Sequence, residues 1–240
     1  MATKPVVIGG STVSARQLKE LFRQIDERSI GGRAMQAILD HQNPFDLPYG
    51  GLEGEYLNQC KGWESFYWNH FRIRIDFSKI RIPVRTLEQM REFIRSLVIA
   101  QGLTNNQVYD ACQKHFPCSR YTEDLDKGVP TSERDPKNGS YFIWVRDTVE
   151  ADEVHKNKSA NMIRTEGLKT ETLLERMIHE LKYFLETGKH LDVANWTLCS
   201  GSRNSGGDVP GAYWYGGKFR VDWGCTGGRG DGLRSREAIV

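Results

Sequence analysis

Hydrophobic and polar positions recur along this chain in two rhythms, one helical and one of period two. Over residues 12–30, Val13, Leu18, Leu21, Phe22 and Ile25 fall on one stripe while Arg16, Lys19, Glu20, Arg23 and Glu27 take the other side, which predicts an amphipathic helix. Ile30-Gly31-Gly32 stops it, a short helix restarts over 34–39, and residues 41–62, rich in Pro, Gly, Asn and Asp, read as loop. The rhythm then changes. Phe71, Ile73, Ile75 and Phe77 alternate with Arg72, Arg74 and Asp76, and Ile80, Ile82 and Val84 alternate with Arg81, Pro83 and Arg85. Two paired strands would bury one apolar face and show Arg72, Arg74, Arg81 and Arg85 on the other, with Pro83 confining the second strand to an edge.

Helical spacing returns over 86–101, where Thr86 and Gln89 form a capping box and Leu87, Met90, Ile94, Leu97 and Val98 form the stripe up to Gly102. A second box, Thr104 with Gln107, opens a helix through Phe116 that Pro117 closes. Residues 117–140 are polar and read as a loop or linker. Tyr141–Val145 is apolar on both faces, as a central strand is. The strongest helix spans 170–185, with Leu173, Leu174, Met177, Ile178, Leu181, Phe184 and Leu185 inward, Glu175, His179, Glu180, Lys182 and Glu186 outward, and Gly188 at the C-cap. Strands follow over 195–199, 212–215 and 218–223.

The pattern predicts an α+β protein of amphipathic helices packed on a largely antiparallel sheet. Its organisation reads as a helical and β-hairpin region at 1–116, the polar segment 117–140, and an α+β region with a Gly-rich tail at 141–240. These form two regions or one compact domain.

Composition narrows the class. With 240 residues, 38% hydrophobic and 27% charged, the chain is neither collagen-like nor wholly disordered and has length for a sizeable core. No apolar run approaches the roughly 18 residues of a membrane span, and Val6-Val7-Ile8 is too short for a signal-peptide core. No membrane partner and a cytoplasmic location are therefore expected. Five cysteines, an odd number, are expected as free thiols in a reducing compartment. The net charge of +2 argues against a polyelectrolyte partner for the whole surface and leaves room for local basic faces.

Candidate chemistry is local. A Gly216-Gly217 turn would set Tyr215 opposite Lys218, Trp214 opposite Phe219 and Tyr213 opposite Arg220. Ala212, Trp214, Phe219, Val221 and Trp223 would then share the core face, and Tyr213, Tyr215, Lys218 and Arg220 the outer one. Rings interleaved with cations suit single-stranded nucleic acid, because rings stack on bases and cations meet phosphates; an ordinary solvated face has the same composition. The arginine face of 72–85 allows the same contact, or coverage by an acidic neighbour such as a helix after Val149. The helix pair around Gly102 resembles a helix-turn-helix whose second helix offers Asn105, Asn106, Gln107, Tyr109 and Gln113, although Gln101 and Val98 depart from its pattern. A plain helical hairpin is the favoured reading.

Cys112, His115 and Cys118 are spaced three apart and would supply three metal ligands, but no fourth is evident, and His115 also continues an apolar stripe. No cofactor is otherwise implied. Cys199-Ser200-Gly201-Ser202-Arg203 and Cys225-Thr226-Gly227-Gly228-Arg229 echo each other. A thiolate among backbone N–H groups and an arginine favours an oxyanion, yet the Cys-to-Arg spacing is shorter than a phosphatase-type loop needs.

Several stretches carry a resemblance: LLERMIHELKYFLETGKHLD from Leu173, NWTLCSGSR from Asn195, GGDVP from Gly206, LRSRE from Leu233, and GLTNNQVYDACQKHFPCSRYTEDLD from Gly102. Together they resemble a family of uncharacterised proteins from uncultured, small-genome bacteria. The resemblance implies a bacterial cytosolic protein and gives no residue a role. The residues themselves favour a non-catalytic nucleic-acid-binding or interaction protein. The alternatives are an enzyme using a Cys/Gly/Arg turn (Cys199 with Arg203, or Cys225 with Arg229) and a structural or assembly protein.

Overall fold

The computed structural model describes residues 53–240, together with 7–8, 11–12, 19 and 23. The chain divides into two compact units, Met1–Lys61 and Gly62–Val240. In the first, short strands β1 (Val7–Ile8) and β2 (Ser11–Thr12) pair antiparallel. The helices predicted over 12–30 and 34–39 fall, but for Thr12, Lys19 and Arg23, outside the described residues.

The second unit is α+β, as the hydrophobic pattern predicts. Its main sheet has five strands in the order β11-β7-β9-β10-β4, from β4 (Cys118–Arg120), β7 (Trp196–Leu198), β9 (Val209–Tyr215), β10 (Lys218–Gly224) and β11 (Leu233–Arg234). The sheet is mixed: β9 pairs antiparallel with β7 and β10, whereas β4 and β11 run parallel to their neighbours at the two edges. A separate ribbon pairs β3 (Arg95–Ile99) with β6 (Tyr141–Val145), and β5 (Thr131–Ser132) pairs with β8 (Ser202–Arg203). Residues 117–140 lie within this unit and carry β4, β5 and a one-turn helix, Leu125–Gly128, rather than plain loop.

Three local expectations are overturned. Residues 53–62 are not loop, because helix α1 spans Glu53–Phe71. Nor does a strand begin at Phe71. Arg72 takes a left-handed φ of 59°, and the amides of Arg72 and Ile73 close back on the carbonyls of Trp68 and Tyr67, which ends the helix. Residues 72–76 belong to no helix or strand, a 3-10 turn occupies Phe77–Lys79, and no hairpin forms. The third is the helix over 86–101. Its capping box is present, but α2 is only Leu87–Glu92, and Arg95–Ile99 becomes strand β3. Leu97, Val98 and Ile99 gain more by pairing with Ile143, Phe142 and Tyr141 in a buried ribbon than by extending a helix that leaves Leu87 exposed. The helix-turn-helix reading falls with it, since a strand replaces its first helix.

Helix α3 (Asn105–Gln113) and helix α6 (Leu173–Thr187) form where predicted, each with a reciprocal Thr-to-Gln or Thr-to-Glu capping box. Gly188 closes α6 at φ 70°, a conformation that costs glycine nothing. The core lies between α6, the ribbon and the inner face of the sheet, where Ala212, Phe219 and Val221 are buried. Trp63 and Tyr67 of α1 reach the ribbon, donating to Ser96 Oγ at 3.2 Å and to the Val98 carbonyl at 2.6 Å. Among the described residues no helix is long and apolar enough to cross a membrane.

Candidate functional site

The β9–β10 hairpin has the predicted register: Lys218 opposes Tyr215, Phe219 opposes Trp214 and Arg220 opposes Tyr213. Gly216 and Gly217 both have positive φ, 61° and 72°, so the two-residue turn needs glycine at both centres. Alternation then sends Tyr213, Tyr215, Lys218 and Arg220 to the outer face. That face has two halves. At one end Leu198 and Val209 pack with Ala160 of helix α5 (Ala160–Thr165) and with Leu233, so helix and edge strand cover it. At the turn end, Tyr215 is 66% exposed, Lys218 is exposed and Arg220 is half-exposed.

Tyr213 points outward yet is buried, because the Trp196 ring of β7 stacks on it at 3.7 Å and 10°. Its hydroxyl donates to Asp222 Oδ2 at 2.8 Å. Burial, reinforced by that carboxylate, pushes the Tyr213 phenol above its usual range. So Tyr213 is a foundation and not a free ring. Arg220 is held over the turn, its Nε donating to the Tyr215 carbonyl at 3.2 Å and its guanidinium 5.6 Å from the Tyr215 ring. Trp223, expected in the core, is 53% exposed near the end of β10.

The segment 72–85 does not assemble four arginines on one face. Arg72 and Arg74 flank the exposed Trp68 ring at 5.6 and 4.9 Å, and Arg81 is exposed. Arg85 lies 3.5 Å over the Trp144 ring and donates to the Phe93 carbonyl. Lost strand geometry removes the shared face; a smaller arginine–tryptophan cluster remains.

The polar residues of α3 are structural. Asn106 Oδ1 accepts from the Leu125 amide at 2.9 Å and from Arg120 at 3.2 Å, and its Nδ2 donates to Asp124 at 2.9 Å. Cys112 is buried with its thiol facing the Met177 carbonyl at 3.8 Å, Cys118 is half-buried, and the exposed His115 meets His70 at 3.2 Å. Among the described residues these three ligands do not converge. Burial pushes both thiols up, Cys118 to about 12, the opposite of a thiolate ligand's need.

The two Cys/Gly/Arg turns also part company. Cys199 is buried, burial raises its thiol well above the ordinary value, and Arg203 donates to the carbonyls of Ser200 and Ser202 instead of facing the sulfur. Cys225 and Arg229 are exposed on a turn closed by the Gly228 amide on the Cys225 carbonyl.

The pattern of the sequence does not disclose the buried network along α6. Glu175, His179 and Glu180, expected outward, are buried, and so is Arg176. Arg176 donates to Asp192 and to Glu180, each at 2.9 Å, and Arg236 reaches Asp192 at 2.7 Å. Arg134 forks onto Glu175 with two contacts of 2.6 Å. Burial works to raise Glu175 and Asp192, but the facing arginines hold both below the usual carboxylate range. Glu171 differs: burial pushes it up to about 8 despite Arg236 and Arg176, while burial drives its partner His179, 2.8 Å away, well down. A protonated Glu171 donating to a neutral His179 is the state this environment favours. Glu171, Glu175, Arg176, His179, Glu180 and Asp192 are fully buried and Arg134 at the edge is partly exposed, so the network ties α6 to the segments around it.

A comparison with family models, with curated proteins and with solved structures finds no match to this chain.

Proposed function

We propose that the protein is a non-catalytic nucleic-acid-binding module that contacts a single strand through the turn end of its five-stranded sheet. The observation that carries this is the pairing of an exposed Tyr215 with Lys218 and Arg220 on the half of the outer face that α5 leaves open. The ring offers a stacking surface for a base, and the cations flank the path of the phosphates. The Trp196–Tyr213 stack beneath keeps the strand rigid, which lowers the ordering cost of binding.

Fluorescence anisotropy with labelled single- and double-stranded DNA and RNA, across a salt series, tests the reading. Micromolar binding that prefers single strands is expected. Two phosphate contacts would give a log–log salt slope of about −1.4 on single strands. The triple variant Tyr215→Ala, Lys218→Ala, Arg220→Ala should lose binding with an unchanged circular dichroism spectrum. No binding at low salt, or equal binding by the folded variant, would falsify the proposal.

A further inference from the structure

Away from the sheet face, Asp152, His155 and Glu237 bring one ligand atom each to within 4.8 Å of one another. Asp152 and His155 bracket a 3-10 turn, Glu153–His155, and Glu237 comes from the C-terminal segment, placed there by a bridge to Thr170. The backbone amide of Glu237 donates to Asp152 Oδ2 at 2.7 Å, which locks the two segments together.

The imidazole is the anomaly. His155 is 3% exposed, and among the described residues neither ring nitrogen finds a hydrogen-bond partner of normal geometry. A buried polar group left unsatisfied is destabilising, so such sites are normally completed by a ligand or water. Its Nε2 points at both carboxylates, 3.5 Å from Glu237 Oε2 and 4.0 Å from Asp152 Oδ2. Those spacings are long for hydrogen bonds. The 3.5 Å spacing matches the separation of two ligands on one tetrahedral ion, about 3.3–3.6 Å for bonds of about 2.0–2.2 Å, and the 4.0 Å one needs a small inward shift of Asp152.

We infer that Asp152, His155 and Glu237 form a binding site for one divalent transition-metal ion of the Zn(II) class, with Arg146 as the resident cation that the metal displaces. One imidazole and two carboxylates suit borderline ions better than soft Cu(I) or oxygen-seeking Ca(II). Arg146 Nη1 now bridges the carboxylates, 2.7 Å from Asp152 and 3.0 Å from Glu237. Its Nε and Nη2 hold Glu92 at 3.1 and 2.9 Å, and its guanidinium sits 4.0 Å over the Phe93 ring. The guanidinium is planar and rigid, so the ion displaces Nη1 by tilting the whole group against its Glu92 and Phe93 contacts. The bound ion would staple the C-terminal segment to the 146–155 stretch, a structural role.

Cobalt(II) titration of the chelator-treated full chain provides the test, read by visible d–d absorption and by melting temperature. The wild type should take one Co(II) per chain, show the bands of a four- or five-coordinate ion, and melt several degrees higher. His155→Ala should lose the bands, Glu237→Gln should weaken binding about tenfold or more, and Arg146→Met should tighten it about tenfold. Because the free thiols and surface histidines take Co(II) elsewhere, dependence on His155 and Glu237 is the decisive readout. If His155→Ala fails to fold, Glu237→Gln alone decides, since that side chain is partly exposed and keeps its shape. Absence of bands in the wild type overturns the inference, as do bands that survive the ligand variants, and unchanged affinity in Arg146→Met overturns the displacement.

Discussion

Helix α6 and the β9–β10 hairpin both space apolar and polar side chains as their backbones demand, and the fold treats the polar half of each in opposite ways. In the hairpin, Tyr215 and Lys218 stay in solvent. On α6, Glu175, Arg176, His179 and Glu180 are covered as completely as the leucines beside them. The difference lies in what faces each element. At the turn end the outer side chains Tyr215 and Lys218 are exposed, whereas α6 meets Asp192, Arg134 and Glu171 from three other parts of the chain. Periodicity tells which side chains share a face; what covers that face is written elsewhere in the sequence.

The largest expected effect comes from breaking the covered side. Asp192→Ala removes the one carboxylate that serves both Arg176 and Arg236, leaving two buried guanidinium groups with fewer partners. Losing one partner of a buried pair costs about 3–5 kcal/mol, which for a chain of this size lowers the melting temperature by roughly 6–20 °C. Lys218→Ala on the open side should move stability by less than about 0.5 kcal/mol. Thermal denaturation of the two variants measures the contrast directly, and equal losses would mean the buried network carries no special weight.

Next in size is the pH dependence that Glu171 imposes. Its folded-state value of about 8 lies above the ordinary 4.5, so the protonated form is favoured on folding. That contribution is fully present below about pH 4.5 and is lost as pH rises through 8. Glu175 and Asp192 act with the opposite sign: their depressed values give stability that is present above the ordinary carboxylate range and is lost as pH falls through them. Stability should therefore be highest near the ordinary carboxylate range, declining as pH rises from about 4.5 to 8 and declining again as pH falls below that range. Glu171→Gln, which stays neutral, should flatten the alkaline limb in urea titrations at several pH values. A limb unchanged in that variant would show that Glu171 is already ionised in the native protein.

How much of this was legible follows from the same contrast. The hairpin register, both glycine turn positions, the approximate positions of α3 and α6 and the capping boxes at Thr86 and Thr104 are local, and residues within a few positions decide them. The errors arise where distant partners decide. Arg95–Ile99 has helical spacing but pairs with Tyr141–Val145. Phe71 has strand spacing but belongs to a helix whose start, at Glu53, lies in a stretch that reads as loop. Tyr213 reads as an exposed ring because nothing in the hairpin itself announces Trp196. The cluster of Arg146, Asp152, His155 and Glu237 draws on residues up to 91 positions apart and has no spacing to recognise.

On the open face, the ring should matter more than either cation. Base–aromatic stacking is worth about 1–3 kcal/mol per base, so Tyr215→Ala should weaken single-strand binding roughly 5- to 150-fold, and Tyr215→Phe should retain most of it. Anisotropy at fixed salt separates the two variants. Equal loss in both would shift the credit from stacking to the hydroxyl.

The smallest effect is the most diagnostic of what the cations do. Lys218 is exposed and among the described residues has no ion pair, whereas Arg220 is tied to the Tyr215 carbonyl, so of the two it is Lys218 that is free to swing toward a passing phosphate. Its removal changes affinity little at high salt, where screening has already erased the contact. What should change is the slope: Lys218→Ala should reduce the single-strand salt dependence by about 0.7, the share of one phosphate contact. Lys218→Arg should restore it. A slope that stays at the wild-type value while affinity falls would mean that Lys218 shapes the turn and meets no phosphate, and the binding path would then have to run over Trp68, Arg72 and Arg74 instead.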